Sequence, residues 1–180
     1  MCSWSIELEG GGRVIQVYTG NGKGKTTAAI GLALRAAGAG LNVYIAQFLK
    51  GRYSSEHKIL NKIRNIKLEQ FGRNCFIRHK PKQIDMELTC QGWEKIARVV
   101  ASGKYHLVVL DEINVVLKLK LLSVRDILSL IKRAPDCVEL VFTGRHAPVQ
   151  LIKHADLVSR INEVKHYYRR GIKARKGIEF

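Results

Sequence analysis

Val14-Ile-Gln-Val-Tyr-Thr-Gly-Asn-Gly-Lys-Gly-Lys-Thr-Thr27 decides the reading of this chain. Val14 to Tyr18 is a compact apolar run of β type. Glycines follow, and the Ala- and Leu-rich stretch from Thr26 to Ala39 reads as a helix that stops at Gly38 or Gly40. Glycine frees the backbone to turn its N–H groups inward, so a strand, a glycine-rich turn and a helix in that order form an anion nest. The helix N-terminus adds a partial positive charge, Lys25 a full one, and Thr26 a hydroxyl suited to Mg²⁺. In the strict G-x-x-x-x-G-K-[ST] spacing the first glycine falls at Thr19, whereas here it comes one step later, at Gly20. The competing reading is a glycine-rich turn without a ligand.

Outward from that loop, short β-type runs alternate with helical stretches. Asn42 to Phe48, Ile66 to Gln70, His106 to Leu110, Val138 to Phe142 and Leu157 to Val164 read as strands. Between them, Ser54 to Ile63 reads as a helix capped by Ser54 or Ser55. Gln83 to Ser102 reads as one with Ile84, Leu88, Trp93, Ile96, Ala97 and Val100 on its apolar face. Ser123 and Asp126 form a capping-box pattern that opens a helix to Arg133, and Ala147 to Lys153 is a short helix. Phe71 to Lys82 is a basic loop. This alternation predicts a single α/β domain over residues 1–180, with a mostly parallel sheet and helices on both faces. Residues 1–13 are a leader and 165–180 a basic closing segment. Ligands of such open sheets sit at the carboxyl ends of the strands.

Two further motifs fall at those ends. Leu107-Val-Val-Leu-Asp-Glu112 carries two carboxylates out of an apolar strand, where they can hold Mg²⁺ directly or through water. Val141-Phe-Thr-Gly-Arg-His146 brings Arg145 to the next strand end, within reach of a phosphate chain. Taken alone, the competing and weaker reading of Arg145 is a surface arginine in a β-to-α loop.

Composition sets the bounds. With 180 residues, 46% of them apolar, the chain can build one domain with a sizeable core. The net charge of +16 attracts polyanions such as a nucleoside triphosphate, a nucleic acid or an acidic protein, or is simply a solvated lysine-rich surface. Cys2, Cys75, Cys90 and Cys137 lack C-x-x-C spacing, so a zinc site is not expected, and a Cys75–Cys90–His79 cluster is the weaker reading. No apolar run reaches membrane-spanning length, since Lys118 and Lys120 interrupt Val115 to Leu122. Residues 1–12 lack the apolar core of a signal peptide. Free thiols without a signal-peptide pattern point to the cytoplasm.

In this order, the motifs resemble the P-loop corrinoid adenosyltransferases, which act on cob(I)alamin or cob(I)yrinic acid a,c-diamide. The matching residues are Tyr18 to Ala29, Gln47-Phe-Leu-Lys-Gly51, Val109-Leu-Asp-Glu-Ile113, Thr143-Gly-Arg145 and Ala155-Asp-Leu-Val158. Val164-Lys-His166, Gly171-Ile-Lys-Ala174 and Gly177-Ile178 close the series. The resemblance implies a P-loop NTPase-like fold and transfer of the 5′-deoxyadenosyl group of ATP to cobalt(I), with triphosphate released. ATP would lie reversed on the loop, its ribose C5′ open to the corrinoid. Carried over by position, Gly20, Asn21, Gly22, Lys23, Gly24, Lys25, Thr26, Thr27 and Arg145 would bind ATP. Thr26 and Glu112 would hold Mg²⁺, with Asp111 supporting from behind, and Lys25, Glu112 and Arg145 would carry the catalysis. A homodimer and a flavoprotein reductase that supplies electrons to cobalt are implied partners.

The chain departs from the family pattern at two points. Only about a dozen residues precede the first strand, whereas some members have a longer N-terminal segment that covers the neighbouring subunit's site. The aromatic pair that some members use to displace the lower axial ligand of cobalt is not found in place, which leaves Phe71 and Phe76 as candidates. Two rival readings remain at this stage: an ATPase or kinase that cleaves at the γ-phosphate, and a nucleic-acid-binding module built on the basic, Tyr-containing stretch 165–180.

Overall fold

The computed structural model describes residues 12–74 and 80–180. Six strands form one sheet: β1 (Ile15–Thr19), β2 (Val43–Phe48), β3 (Ile66–Phe71), β4 (Leu107–Asp111), β5 (Glu139–Thr143) and β6 (Leu157–Arg160). Their order is β3-β2-β4-β5-β1-β6, and every pairing is parallel. The sheet is therefore wholly parallel, as a chain of strand–helix–strand crossovers requires.

Side-chain parity along each strand builds two cores. Val43, Ile45, Leu107, Val109 and Val141 point to one face, where Ala29, Ala33 and Ala36 of α1 (Lys25–Gly38) and Leu60 of α2 (Ser55–Leu60) cover them. Tyr44, Ala46, Phe48, Val108, Leu110, Leu140 and Phe142 point to the other. That face is covered by α3 (Gln83–Ala101), α4 (Ile113–Lys118), α5 (Val124–Arg133) and α6 (Val149–Lys153). Alanine on α1 lets the helix that follows the glycine loop lie close to the sheet. Each fully buried Leu, Ile or Phe contributes about 1.5–3 kcal/mol.

The capping box is in place: Ser123 Oγ accepts from the Asp126 N–H at 3.2 Å, and Asp126 Oδ2 accepts from the Ser123 N–H at 2.9 Å. Other expectations need correction. Ile84 is 41% exposed, whereas Ile96 and Val100 of the expected face are buried, Leu88, Trp93 and Ala97 are half-buried, and Asp85, Thr89, Gly92 and Val99 join the buried stripe. Asp85 is buried because Arg73 grips both its oxygens, at 2.7 and 2.8 Å. Gly92 is required there: a Cβ at this position would lie 2.6 Å from Phe71 Cγ and 2.9 Å from Phe48 Cε1. Strand β6 stops at Arg160, short of Val164, which is 98% exposed. Beyond Arg160 the chain serves the glycine loop instead, with the Ile161 N–H on Thr19 O and the Gly22 N–H on Ile161 O, both at 2.8 Å. Helix α4 was not anticipated. It buries Ile113, Asn114, Val116 and Leu117, and leaves Lys118 exposed.

Candidate active site

The three motifs converge at the carboxyl ends of β1, β4 and β5. The loop after β1 turns through Gly20 (φ 98°) and Gly24 (φ 121°), conformations that L side chains rarely adopt. At Gly20 a Cβ would also collide with the Ile161 carbonyl, so glycine is needed there on both counts. Lys25 opens α1 and is buried, its Nζ donating to Gly22 O at 2.6 Å. Burial lowers its pKa, Glu112 opposes that shift, and Arg145 adds to it. An ammonium held this way is drawn to an anion at the loop.

Asp111, at the end of β4, is the hub of the floor and is 1% exposed. Its Oδ1 accepts from Thr143 Oγ1 at 2.6 Å and Thr26 Oγ1 at 2.9 Å. Its Oδ2 accepts from Lys50 Nζ at 2.6 Å and Gln47 Nε2 at 3.2 Å. Behind Gln47, His57 Nε2 lies 2.7 Å from Gln47 Oε1, while His57 Nδ1 accepts from the Ser54 N–H at 3.1 Å. Those contacts fix a neutral imidazole with its proton on Nε2. Burial lowers the His57 pKa in agreement.

Glu112 differs from its neighbour. Its backbone sits at φ 64°, a left-handed conformation uncommon for glutamate, and its N–H donates to Thr143 Oγ1 at 3.0 Å. Among the described residues its carboxylate makes no hydrogen bond or ion pair, and it faces the cavity. Burial first, and then Asp111, raise its pKa. This donor set suits a hard divalent cation: a carboxylate without a protein partner and the Thr26 hydroxyl face the cavity, and a saturated carboxylate stands behind them.

A cavity of about 640 Å³ gathers Asn21 through Thr27, Glu112 and Arg145. Its other walls come from Lys50, Glu56, Ile59, His166 and residues 177–180. The closing segment thus folds back onto the loop. Lys23 Nζ donates to Tyr167 Oη at 2.7 Å, Glu179 Oε1 at 2.9 Å and Ile178 O at 3.2 Å. Tyr167 also donates to Glu179, and Ser55 Oγ donates to Phe180 O at 3.0 Å. Phe71 lies elsewhere: its ring packs on Phe48 with centroids 5.7 Å apart, beneath Gly92. Phe76, Cys75 and His79 fall outside the described residues. Cys90 is exposed, and no group of three or more His, Cys, Asp or Glu side chains that could hold a metal ion occurs among the described residues.

The family model for the ATP:corrinoid adenosyltransferases BtuR/CobO/CobP matches residues 12–180. The chain belongs to this family. It is 36% identical to a corrinoid adenosyltransferase of Pseudomonas aeruginosa over 93% of this chain and 83% of that one. It is 32% identical to the corrinoid adenosyltransferase CobA of Salmonella typhimurium over 93% of this chain and 85% of that one. A corrinoid adenosyltransferase of Escherichia coli is 30% identical over the same shares.

In this adenosyltransferase the sequence reading had singled out the loop, the acidic strand end and Arg145. Lys50, Gln47, His57, Thr143, His166 and Glu179 have no role in that reading, and Tyr167 has one only in the nucleic-acid rival. Gln47, Lys50, Thr143 and His166 stand in segments that carry the resemblance, whereas His57, Tyr167 and Glu179 stand outside them. Glu179 is the sole acid between Lys165 and Phe180, and that lone acid is what binds the loop's outer lysine.

Proposed function

We propose that this chain transfers the 5′-deoxyadenosyl group of ATP to the cobalt(I) of a corrinoid, releasing triphosphate. The observation that carries the reading is the family match along residues 12–180. A cavity that assembles the family's phosphate loop, acidic strand end and arginine supports it.

In the proposed step, cobalt(I) attacks ribose C5′. The Co–C bond forms, the C5′–O bond breaks, and its electron pair leaves on the triphosphate. Cobalt supplies the nucleophilic electrons, so no serine, cysteine or general base is needed. The protein's work is to hold C5′ in line and to stabilise charge on the leaving oxygen. Lys25 and the N-terminus of α1 suit the phosphates, and Lys23 and Arg145 add positive charge at the cavity edge. Thr26 and Glu112 would hold Mg²⁺, with Asp111 orienting Thr26 from behind. When bound, that ion neutralises charge on the leaving triphosphate. We also assign to this reading a homodimer, a flavoprotein electron donor and a cytoplasmic setting. No helix among the described residues is long and apolar enough to cross a membrane.

The test incubates the protein with chemically reduced corrinoid, ATP and Mg²⁺ and identifies the products. Triphosphate with adenosylated corrinoid is expected. ADP with phosphate, or a phosphorylated acceptor, would replace the reading with γ-phosphate chemistry.

A further inference from the structure

We propose that Lys50, seated against Thr26 and Asp111, intrudes on the divalent-cation seat at the Thr26 hydroxyl, competes with the metal there, and, once displaced, supplies positive charge to the triphosphate. This inference rests on the reading of the cavity as a Mg²⁺–ATP site.

The Lys50 ammonium lies 2.6 Å from Asp111 Oδ2 and 3.0 Å from Thr26 Oγ1. Thr26 Oγ1 has a single proton, which goes to Asp111 Oδ1. Of its two lone pairs one accepts from Lys50, so a metal on the other would sit beside the ammonium on the same oxygen. Like-charge repulsion at that separation makes the two cations compete for the Thr26 hydroxyl. Lys50 does not reach it by chance. The preceding residue, Leu49, is held at φ 58°, and its N–H bonds to Phe71 O at 3.0 Å. Gly72 packs so tightly on the Lys50 backbone N that a Cβ there would clash with it, and a Cβ on Gly51 would clash in turn with Gly72 O. This crossing of two backbones fixes the root of the side chain and leaves its four-carbon stem to move. Burial disfavours the ammonium, but Asp111 and Glu112 outweigh it and raise the Lys50 pKa, so the group stays charged. Lys50 also borders the same cavity as Lys25 and Arg145, so a displaced ammonium remains beside the phosphates.

Competition with the metal and service to the leaving group predict opposite effects when the charge is removed. In Lys50→Met, Mn²⁺ binding in the presence of ATP and absence of corrinoid, read by electron paramagnetic resonance, should tighten about tenfold. Single-turnover adenosylation at saturating Mg²⁺ should slow by about 10- to 100-fold. Lys50→Gln keeps a donor for Asp111, is measured in parallel in case Lys50→Met does not fold, and should show the same pair of signs. Weaker or unchanged Mn²⁺ binding in the folded variant would overturn the competition. Unchanged turnover would overturn the service to the triphosphate. If the wild-type protein adenosylates no corrinoid but Mn²⁺ still binds tighter to Lys50→Met, the proposed function fails and the competition for the seat stands.

Discussion

Lys23 and Lys25 leave one glycine loop two residues apart and end in opposite settings. Lys25 is buried, held by the loop's own Gly22 carbonyl, and its pKa is lowered by burial. The Lys23 side chain is 39% exposed and held by residues 167–179, and its pKa is raised, first by the hydrogen bond to Tyr167 and then by Glu179. The inner cation is positioned by local backbone and the outer one by the far end of the chain. The inner half of the site should therefore set the chemistry, and the outer half should tune access and affinity.

The sharpest way to break that division is Lys25→Ala. Loss of a buried phosphate-facing ammonium should lower corrinoid adenosylation by about 10³-fold or more. Circular dichroism should show an unchanged fold, because the side chain donates only to its own loop. Substantial retained turnover would remove the glycine loop from the mechanism. Next in size is Glu112→Ala. It removes the cavity-facing carboxylate without touching the Asp111 hub, so turnover should fall by about 10²-fold and half-saturation by Mg²⁺ should shift upward. An unchanged Mg²⁺ response would move the metal elsewhere.

The inner half was largely legible from sequence because its residues sit at fixed offsets from strand ends. Gly20 to Thr27 follow β1 directly, Asp111 and Glu112 end β4, and Thr143 to Arg145 end β5, so parallel pairing alone brings them together. The outer half was not legible. The Lys23–Tyr167 contact joins positions 144 residues apart, and no local pattern encodes which basic or aromatic residue of a charged tail will turn inward. Helix α4 has six residues, too few for a 3.6-residue period to stand out from an apolar run. In α3, Gly92 reads from sequence as a weak point of a helix, yet it lets the helix seat against Phe71 and Phe48. Ile84 satisfies the helical period, but the buried stripe is rotated toward Asp85 because Arg73 follows that carboxylate inward.

A smaller effect probes the outer half. Glu179→Gln keeps the side chain's size and removes the charge that holds Lys23, Tyr167 and the Arg175 N–H together. The expected result is a KM for ATP raised about 3- to 10-fold with kcat within about twofold, the signature of lost uniform binding. Because this contact is exposed, raising ionic strength should shrink the difference between wild type and variant. An equal fall in kcat would place the closing segment in the chemical step and erase the distinction between the two halves.

The smallest expected effect is the acid sensitivity of the buried network. His57 is 1% exposed, and burial holds its pKa below the ordinary histidine value of 6.5. Glu56 and Asp111 favour the charged ring, Lys50 disfavours it, and the Tyr53 ring packs edge-on 5.0 Å away. Protonation would place a second N–H on Nδ1, facing the Ser54 N–H that it now accepts. Between the folded pKa and 6.5 the unfolded chain binds more protons than the folded one, so stability rises with pH across that window. The His57 contribution is therefore present above 6.5 and lost as pH falls through the folded pKa. Urea unfolding at pH 7 and pH 5 should show wild type losing more stability on acidification than His57→Phe, which cannot titrate. Groups common to both proteins, Glu112 among them, cancel in that comparison. Parallel losses in the two proteins would mean that the imidazole titrates freely, and the Ser54–His57–Gln47–Asp111 chain would then not lock the floor of the site.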